Sequence, residues 1–337
     1  MNKRYIWSSV AILTIGVILF ILNILVGSVE IGWNDFIGAL RGNDSTYRTI
    51  ILDYRLPQAI TAALAGGGLA VAGLLMQTIF RNPLADPSIL GISSGASLGV
   101  ASIVLIAGSS LLSSLWFSTL GTTLAAFVGA LAVLLLILTL SFRLKNMVSL
   151  ILVGIMIAYI TGSVTDMMKF FAPKESVHSF VIWGMGTFSS LGLKQIPILA
   201  ICVVIGSIAA FLLSKTLNLI LLGDSYAENL GVNTRKAAIV TILVSGFLTA
   251  VVTAFCGPIA FIGLAVPHIA RFIFKTSDHK TLTPSTLFIG ADLALLCNLI
   301  ARLPLFDSNL PINSVTALLG APIVIWVIFY RQKATQR

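Results

Sequence analysis

The 337-residue chain is 57% hydrophobic and 10% charged, against about 25% charged residues in an ordinary soluble domain, so a water-facing surface cannot be made from it. Its net charge of +9 does not indicate nucleic acid, because Lys and Arg are scattered singly or in pairs without a basic stripe or stacking face. Cys202, Cys256 and Cys297 stand apart in apolar runs, with no CxxC spacing, and read as small buried hydrophobes.

A helix needs about 20 apolar residues to cross the hydrocarbon core of a bilayer. Ten segments meet or approach that length. The first, from about Tyr5 to Val26, is longer than a signal-peptide core and no A-x-A site follows closely, so it reads as a retained span. The second is QAITAALAGGGLAVAGLLMQTIF, and the third runs from near Ser93 to near Leu112. TTLAAFVGALAVLLLILTLSF is the fourth, and the fifth begins at Met147 and ends near Phe170. The sixth runs from Ile196 to about Leu213, and the seventh is AAIVTILVSGFLTAVVTAFC. A shorter eighth runs from about Ile259 to Phe274, followed by PSTLFIGADLALLCNLIA and VTALLGAPIVIWVIFY. The longest stretches between spans follow the first and the fifth, so residues 1–337 read as one membrane domain.

Charge sets the orientation. With the N-terminus inside, Lys3, Arg4, Arg81, Arg143, Lys145, Lys215, Arg235, Lys236, Arg271, Lys275, Lys280, Arg331, Lys333 and Arg337 are cytoplasmic. Arg41, Arg48, Arg55, Lys169, Lys174, Lys194 and Arg302 are outside, a division of 14 to 7 that follows the positive-inside rule. Both termini are therefore expected in the cytoplasm.

Within the spans, glycine is the informative residue. Gly66, Gly67, Gly68 and Gly73 fall in the second, and Gly91, Gly95 and Gly99 form a ladder of spacing four at the start of the third. Small residues so spaced let helix backbones approach where lipid supplies no hydrophobic drive, so these helices are expected to pack closely, line a path or move against each other. Between the two lies RNPLADP. Pro83 and Pro87 forbid a continuous helix, Asn82 and Asp86 can support turns, and Arg81 suits a helix C-terminus. His268 and Asp292 are intramembrane ionisable residues, and structural hydrogen bonding is the expectation for each. The chain has no GxxxxGK[ST] loop, HExxH or GxSxG, and no carboxylate pair with catalytic spacing.

The stretch RLPQAITAALAGGGLAVAGLLMQTIFRNPLADPSILGISSGASLG closely resembles the signature of the FecCD family, the permeases of type II ABC importers. GPIAFIGLAVPHIARF resembles a second family block, carrying Pro267, His268 and Arg271, and LPINSVTALLGAPIVIWVI a third. LLGDSYAENLGVNTRKAA resembles the family's cytoplasmic coupling segment. The blocks run from about residue 55 to 329 in family order. Gln58, Asn309 and Asn313 depart from it, standing where the family commonly has an arginine, an acidic residue and a glycine.

The resemblance implies an all-α polytopic membrane protein of about ten transmembrane helices, with the BtuC-like permease fold, in a bacterial cytoplasmic membrane. It implies no catalysis and no bound cofactor; ATP is used by a separate cytoplasmic ATPase dimer. A coupling segment at about 223–236, with Gly223, Tyr226, Ala227, Glu228, Asn229, Leu230 and Gly231, would meet that ATPase. Arg55 and Arg302 would pair with acidic residues of an extracytoplasmic substrate-binding lipoprotein. A second permease subunit, identical or related, would complete the pore. The implied cargo is a ferric siderophore, with heme or cobalamin as alternatives. An ion-coupled secondary transporter is a remote rival, since it would need a buried acid network across the spans and little besides Asp292 is evident. An intramembrane enzyme lacks its constellation.

Overall fold

The computed structural model describes residues 3–27, 45–106, 115–143, 147–303 and 309–335, together with Val29, Gly32 and Gly38. Arg41, Lys145 and Arg337 of the charge tally lie outside the described residues, as does the far end of the third apolar segment, whose helix ends at Val104. Among the described residues all regular structure is helical.

The first helix, α1, is Lys3–Leu25. A second helical run enters through Ser45–Thr49, widens into a π turn over Ile50–Arg55 and continues as α2, Leu56–Ile79. The wide turn, in which Leu56 N–H donates to Ile51 O, directly precedes Pro57. Proline lacks an N–H and crowds the carbonyl one turn back in a regular helix, so a register change here relieves both faults. Then follow α3 (Ile92–Val104), α4 (Leu115–Ser141), α5 (Met147–Phe171) and the short α6 (Lys174–Gly184). Next are α7 (Ile196–Leu212), α8 (Ser214–Leu221), α9 (Asp224–Asn229) and α10 (Thr234–Cys256). The chain closes with α11 (Ile262–Phe274), α12 (His279–Ala301) and α13 (Ile312–Thr335).

Each of the ten expected segments falls on a helix. Six are long and apolar enough to cross a membrane by themselves, and α7 with α8 makes a seventh as a pair bent by 48°. The apolar helices α3 and α11 have only 13 residues. At 1.5 Å per residue such a helix covers about 20 Å of an about 30 Å hydrocarbon core.

Burial sorts the helices into centre and rim. In α2 and its leading turns, 83% of the most apolar window is buried, against 11% for α1 and 22% for α5. The sequence explains this centre: Ala59, Ala62, Ala65, Gly66 and Ala70 leave α2 thin enough for α7, α10, α11 and α12 to close on it. A second group joins α3 to α4, α5 and α10 around Ile92, Val100, Ala130, Leu134 and Ile137.

The stretch after α5, expected as a connector, is bound onto the bundle. Thr187 N–H donates to Cys256 O at 2.8 Å, Asn313 N–H donates to Met185 O at 3.1 Å, and Phe188 is fully buried. Gly186 (φ 71°) and Gly257 (φ 74°) supply the left-handed backbone at this crossing, where a Cβ on Gly257 would stand 2.6 Å from Trp183 O.

Candidate functional site

The RNPLADP turn is specified by its side chains. Asn82 Oδ1 accepts from Leu84 N–H at 2.9 Å, and Asp86 Oδ1 accepts from Ser88 N–H at 2.9 Å and Ser88 Oγ at 2.6 Å. Pro87 opens a 3-10 turn over Pro87–Leu90. Burial pushes the Asp86 carboxyl up from the ordinary carboxylate range, against the two bonds from Ser88. Arg81 has a left-handed backbone (φ 47°) and sends its side chain away from α2. Its Nη2 donates to Ile220 O at 3.0 Å and to Asp224 Oδ1 at 2.5 Å. The arginine thus serves the C-terminal carbonyls of α8 rather than those of its own helix, and ties the turn to α9.

The helix α9 occupies the expected coupling segment between Gly223 (φ 123°) and Gly231 (φ 83°). A Cβ on either glycine would meet nothing within 4 Å. Backbone conformation, not crowding, calls for glycine at both positions. Glu228 Oε1 accepts from Thr234 Oγ1 at 2.7 Å, and Asn233 caps α10 by accepting from Lys236 N–H at 2.9 Å. Ala227 is fully buried and packs with Ile79, Ile220, Ala237 and Ala238 of its own chain. That corrects the expectation that Ala227 offers a contact to another subunit. Tyr226 and Leu230 are more than half exposed, and Glu228 and Asn229 also face outward.

Beside this face, the PH..R block of α11 is hydrogen-bonded into the same corner. His268 Nε2–H donates to Pro83 O at 2.7 Å, so the histidine holds the RNPLADP turn. Arg271 Nη1 donates to Gln77 Oε1 at 2.6 Å, and Gln77 Nε2 donates to Leu264 O at 3.0 Å. Pro267 lies inside α11 and is buried.

The glycines mark backbone contacts. A Cβ on Gly66 would come within 2.3 Å of Gly290 O in α12, and one on Gly73 within 1.8 Å of Gly263 O in α11. Gly67 meets Leu287 at 2.8 Å, whereas Gly68 has ordinary clearance of 3.4 Å. In the expected ladder, Gly95 and Gly99 press on α4, with Gly129 O at 2.6 Å and Ala125 O at 2.1 Å from their notional Cβ positions. Gly91 does not belong to that seam. It is the left-handed N-cap of α3 (φ 77°) and faces Gly154 O of α5. Its spacing of four is a coincidence of sequence, because the regular helix begins only after it. The partner glycines Gly129 and Gly290 carry no sequence signal of their own beyond lying within a span, whereas Gly263 belongs to the block GPIAFIGLAVPHIARF.

At the opposite end, Arg55 and Arg302 are 3% and 8% exposed. Arg55 Nη1 donates to Ile24 O at 2.9 Å and Leu25 O at 2.7 Å, and its Nη2 donates to Val29 O. Arg302 Nη1 donates to Asn23 O at 3.2 Å. Together they cap the C-terminus of α1, whose last carbonyls have no partner in the helix. A buried amide chain lies beneath: Gln58 Nε2 donates to Asn298 Oδ1 at 2.9 Å, and Asn298 Nδ2 to Asn23 Oδ1 at 2.7 Å. The arginines expected to present charge outward are turned inward in this chain. Snorkelling alone does not suggest this, but Asn23 inside an apolar span is a visible signal. Asp292 lies in α12 against Gly16 of α1, where a Cβ would stand 2.5 Å from its Oδ1. No cluster of three or more His, Cys, Asp or Glu that could hold a metal ion is found among the described residues.

Residues 14–330 match the FecCD transport family. The chain is 34% identical over 333 residues to the hemin transport system permease protein HmuU of Yersinia pestis, covering 95% of this chain and 96% of that one. It is 33% identical over 330 residues to the vitamin B12 import system permease protein BtuC of Photorhabdus laumondii, covering 97% and 94%. A solved structure described as an inward-facing metal-chelate type ABC transporter superposes with a TM-score of 0.84 at 28% identity, covering 95% of this chain and 98% of that chain.

Proposed function

This chain belongs to the FecCD transport family and is a permease subunit of an ABC importer for an iron chelate, heme or vitamin B12, and from that premise we propose that its cargo is a ferric siderophore. The observation that carries the proposal is the likeness in fold and sequence to a metal-chelate type ABC transporter. The permease itself performs no catalysis and binds no nucleotide; a pair of cytoplasmic ATPase subunits supplies the work. It sits in a bacterial cytoplasmic membrane.

The coupling step falls on α9 and its flanks. Tyr226 and Leu230 project apolar surface from a polar segment, which suits insertion into a cleft of an ATPase subunit. Ala227 anchors the segment to the bundle, and the Arg81–Asp224 pair links it to the turn between α2 and α3. Movement of α9 would therefore reach the central helix through a short, directly bonded route. A second permease copy is supported by α5, which exposes Tyr159 and Ser163 along a membrane helix. Such polar side chains call for cover by protein or a water-filled path. A binding protein would dock at the outer end, where Arg55 and Arg302 shape the surface by holding α1.

The test is uptake by proteoliposomes holding the permease with its ATPase and binding protein. ATP-dependent accumulation of an iron-labelled siderophore is expected, above that of hemin or cobalamin. Accumulation of cobalamin alone would overturn the cargo and leave the permease class intact.

A further inference from the structure

A polar cavity of about 290 Å³ opens beside the RNPLADP turn, with Gln77, Thr78, Arg81, Arg271, Ser277 and His279 in its walls. Those walls come from the end of α2, the end of α8, α11 and the start of α12. Among the described residues lining it there are two guanidinium groups and no carboxylate. Asp224 reaches Arg81 but is not part of the wall.

The side chains around the cavity are held in place. Gln77 orients Arg271 through the 2.6 Å bond, and Ile220 O orients Arg81. His279 is fixed at both ring nitrogens. Asn218 Nδ2 donates to Asp278 Oδ1 at 2.5 Å, which turns Asn218 Oδ1 toward His279 to accept from its N–H at 2.9 Å and its Nδ1 at 2.8 Å. His279 Nε2 meets Thr78 Oγ1 at 2.8 Å. The histidine is therefore a wall, and the groups positioned to meet a ligand are the two guanidiniums and the exposed hydroxyl of Ser277.

We infer that this cavity binds a phosphoryl group, bridged between Arg81 and Arg271 and reached by Ser277. Arg81 is already paired with Asp224 on one side, and an anion in the cavity would be shared between that guanidinium and the one of Arg271. Planar guanidinium groups match the oxygens of phosphate in a paired geometry. The volume admits one phosphate and several waters, each of about 30 Å³. Its place on the inward-facing, basic side puts it within reach of both cytosolic phosphate and the headgroups of anionic lipids, which bind basic pockets between membrane helices. Occupancy has a consequence for α9: the bound anion competes with Asp224 for Arg81, so the link between the turn and the coupling segment loosens as the cavity fills.

The test uses the full chain purified in a maltoside detergent, with thermal unfolding as the readout, so it is independent of transport. Inorganic phosphate is titrated against chloride at constant ionic strength in one arm. In the other, phosphatidylglycerol is titrated against phosphatidylcholine. A saturable rise in the unfolding temperature is expected in at least one arm; phosphate response assigns the site to the free anion, and response to phosphatidylglycerol alone assigns it to a lipid headgroup. Arg271→Gln should weaken the responding probe about tenfold or more, as loss of a charge-assisted contact predicts. Ser277→Asp, at an exposed position, should abolish the response by placing a carboxylate in the mouth, with the unliganded variant melting like wild type. Absence of a saturable response in both arms, or an unchanged response in Ser277→Asp, overturns the inference.

Discussion

Arg55 and Arg302 show how a side chain's role depends on what it can reach. Both lie next to span ends, where a basic residue is equally suited to lipid headgroups or to a partner's carboxylates. What decides between these is the C-terminus of α1, whose carbonyls at Asn23, Ile24 and Leu25 lie within their reach. A charge-assisted hydrogen bond contributes about 1.5–3 kcal/mol, and a buried carbonyl left without its donor costs about 1–3 kcal/mol. Arg55→Ala should therefore lower the thermal stability of the purified permease, and more than Arg302→Ala, which gives up its longer bond to Asn23 O. Melting curves of the two variants check this. If both melt like wild type while binding-protein affinity collapses, the arginines are docking residues and the α1 contacts are incidental.

At the scale of helices, the glycine seams make graded predictions. The notional Cβ distance of 1.8 Å at Gly73 cannot be absorbed without moving α11, whereas the 3.4 Å at Gly68 is nearly ordinary. Gly73→Ala should reduce the yield of folded permease sharply, and Gly68→Ala should be close to neutral. Gly95 lies between them: its Cβ would meet Val133 Cγ2 at 2.5 Å and Gly129 O at 2.6 Å. Gly95→Leu should cost about 1–3 kcal/mol by overpacking, enough to shift a transport equilibrium whose states differ by a few kcal/mol. Uptake per ATP hydrolysed in reconstituted vesicles should fall in Gly95→Leu, and Gly95→Ala should show a smaller fall because α3 and α4 must still give slightly. An unchanged ratio in Gly95→Leu would mean that the α3–α4 seam takes no part in transport. The short α9 separates anchoring from contact in the same way. Leu230→Asp should weaken ATPase co-purification and leave permease melting unchanged, whereas Ala227→Asp should destabilise the segment itself by burying a charge among Ile79, Ile220 and Ala238. Equal effects of the two on ATPase binding with no loss of stability would place Ala227 at the subunit contact after all.

For the whole molecule, orientation is the property most directly exposed to test. The basic residues place Arg81, α9 and the start of α12 inside, and the stretch after α5 outside. Exposed serines on the two faces make suitable cysteine positions: Ser225 in α9 and Ser190 after α6. A membrane-impermeant thiol reagent should label Ser190→Cys in intact cells and Ser225→Cys only after permeabilisation. Labelling of Ser225→Cys in intact cells would invert the topology. The bundle also shows why burial cannot be read from hydropathy. The segment containing α5 has a mean hydropathy of 2.0 and the run containing α2 has 1.9, yet one is at the rim and the other at the centre. Lipid and protein interior are equally apolar, so hydropathy registers insertion and not depth within the bundle.

Residue types in order determined what kind of molecule this is. Apolar length, charge bias and the proline–asparagine–aspartate turn are local or one-dimensional properties, and they specify helices, orientation and the break between α2 and α3. The family blocks add the class of transporter. Contacts between distant segments were decided only in three dimensions. Gly66 meets Gly290 and Gly73 meets Gly263 because α2 is enclosed by α11 and α12, and no spacing within α2 names those partners. Gly91 shares the spacing of Gly95 and Gly99 but not their seam, since the helix that would align them starts one residue later. Arg81 left its own helix for α8 and α9, and Arg55 and Arg302 turned to α1, because unpaired carbonyls and carboxylates draw a long cationic side chain wherever the fold brings them within reach.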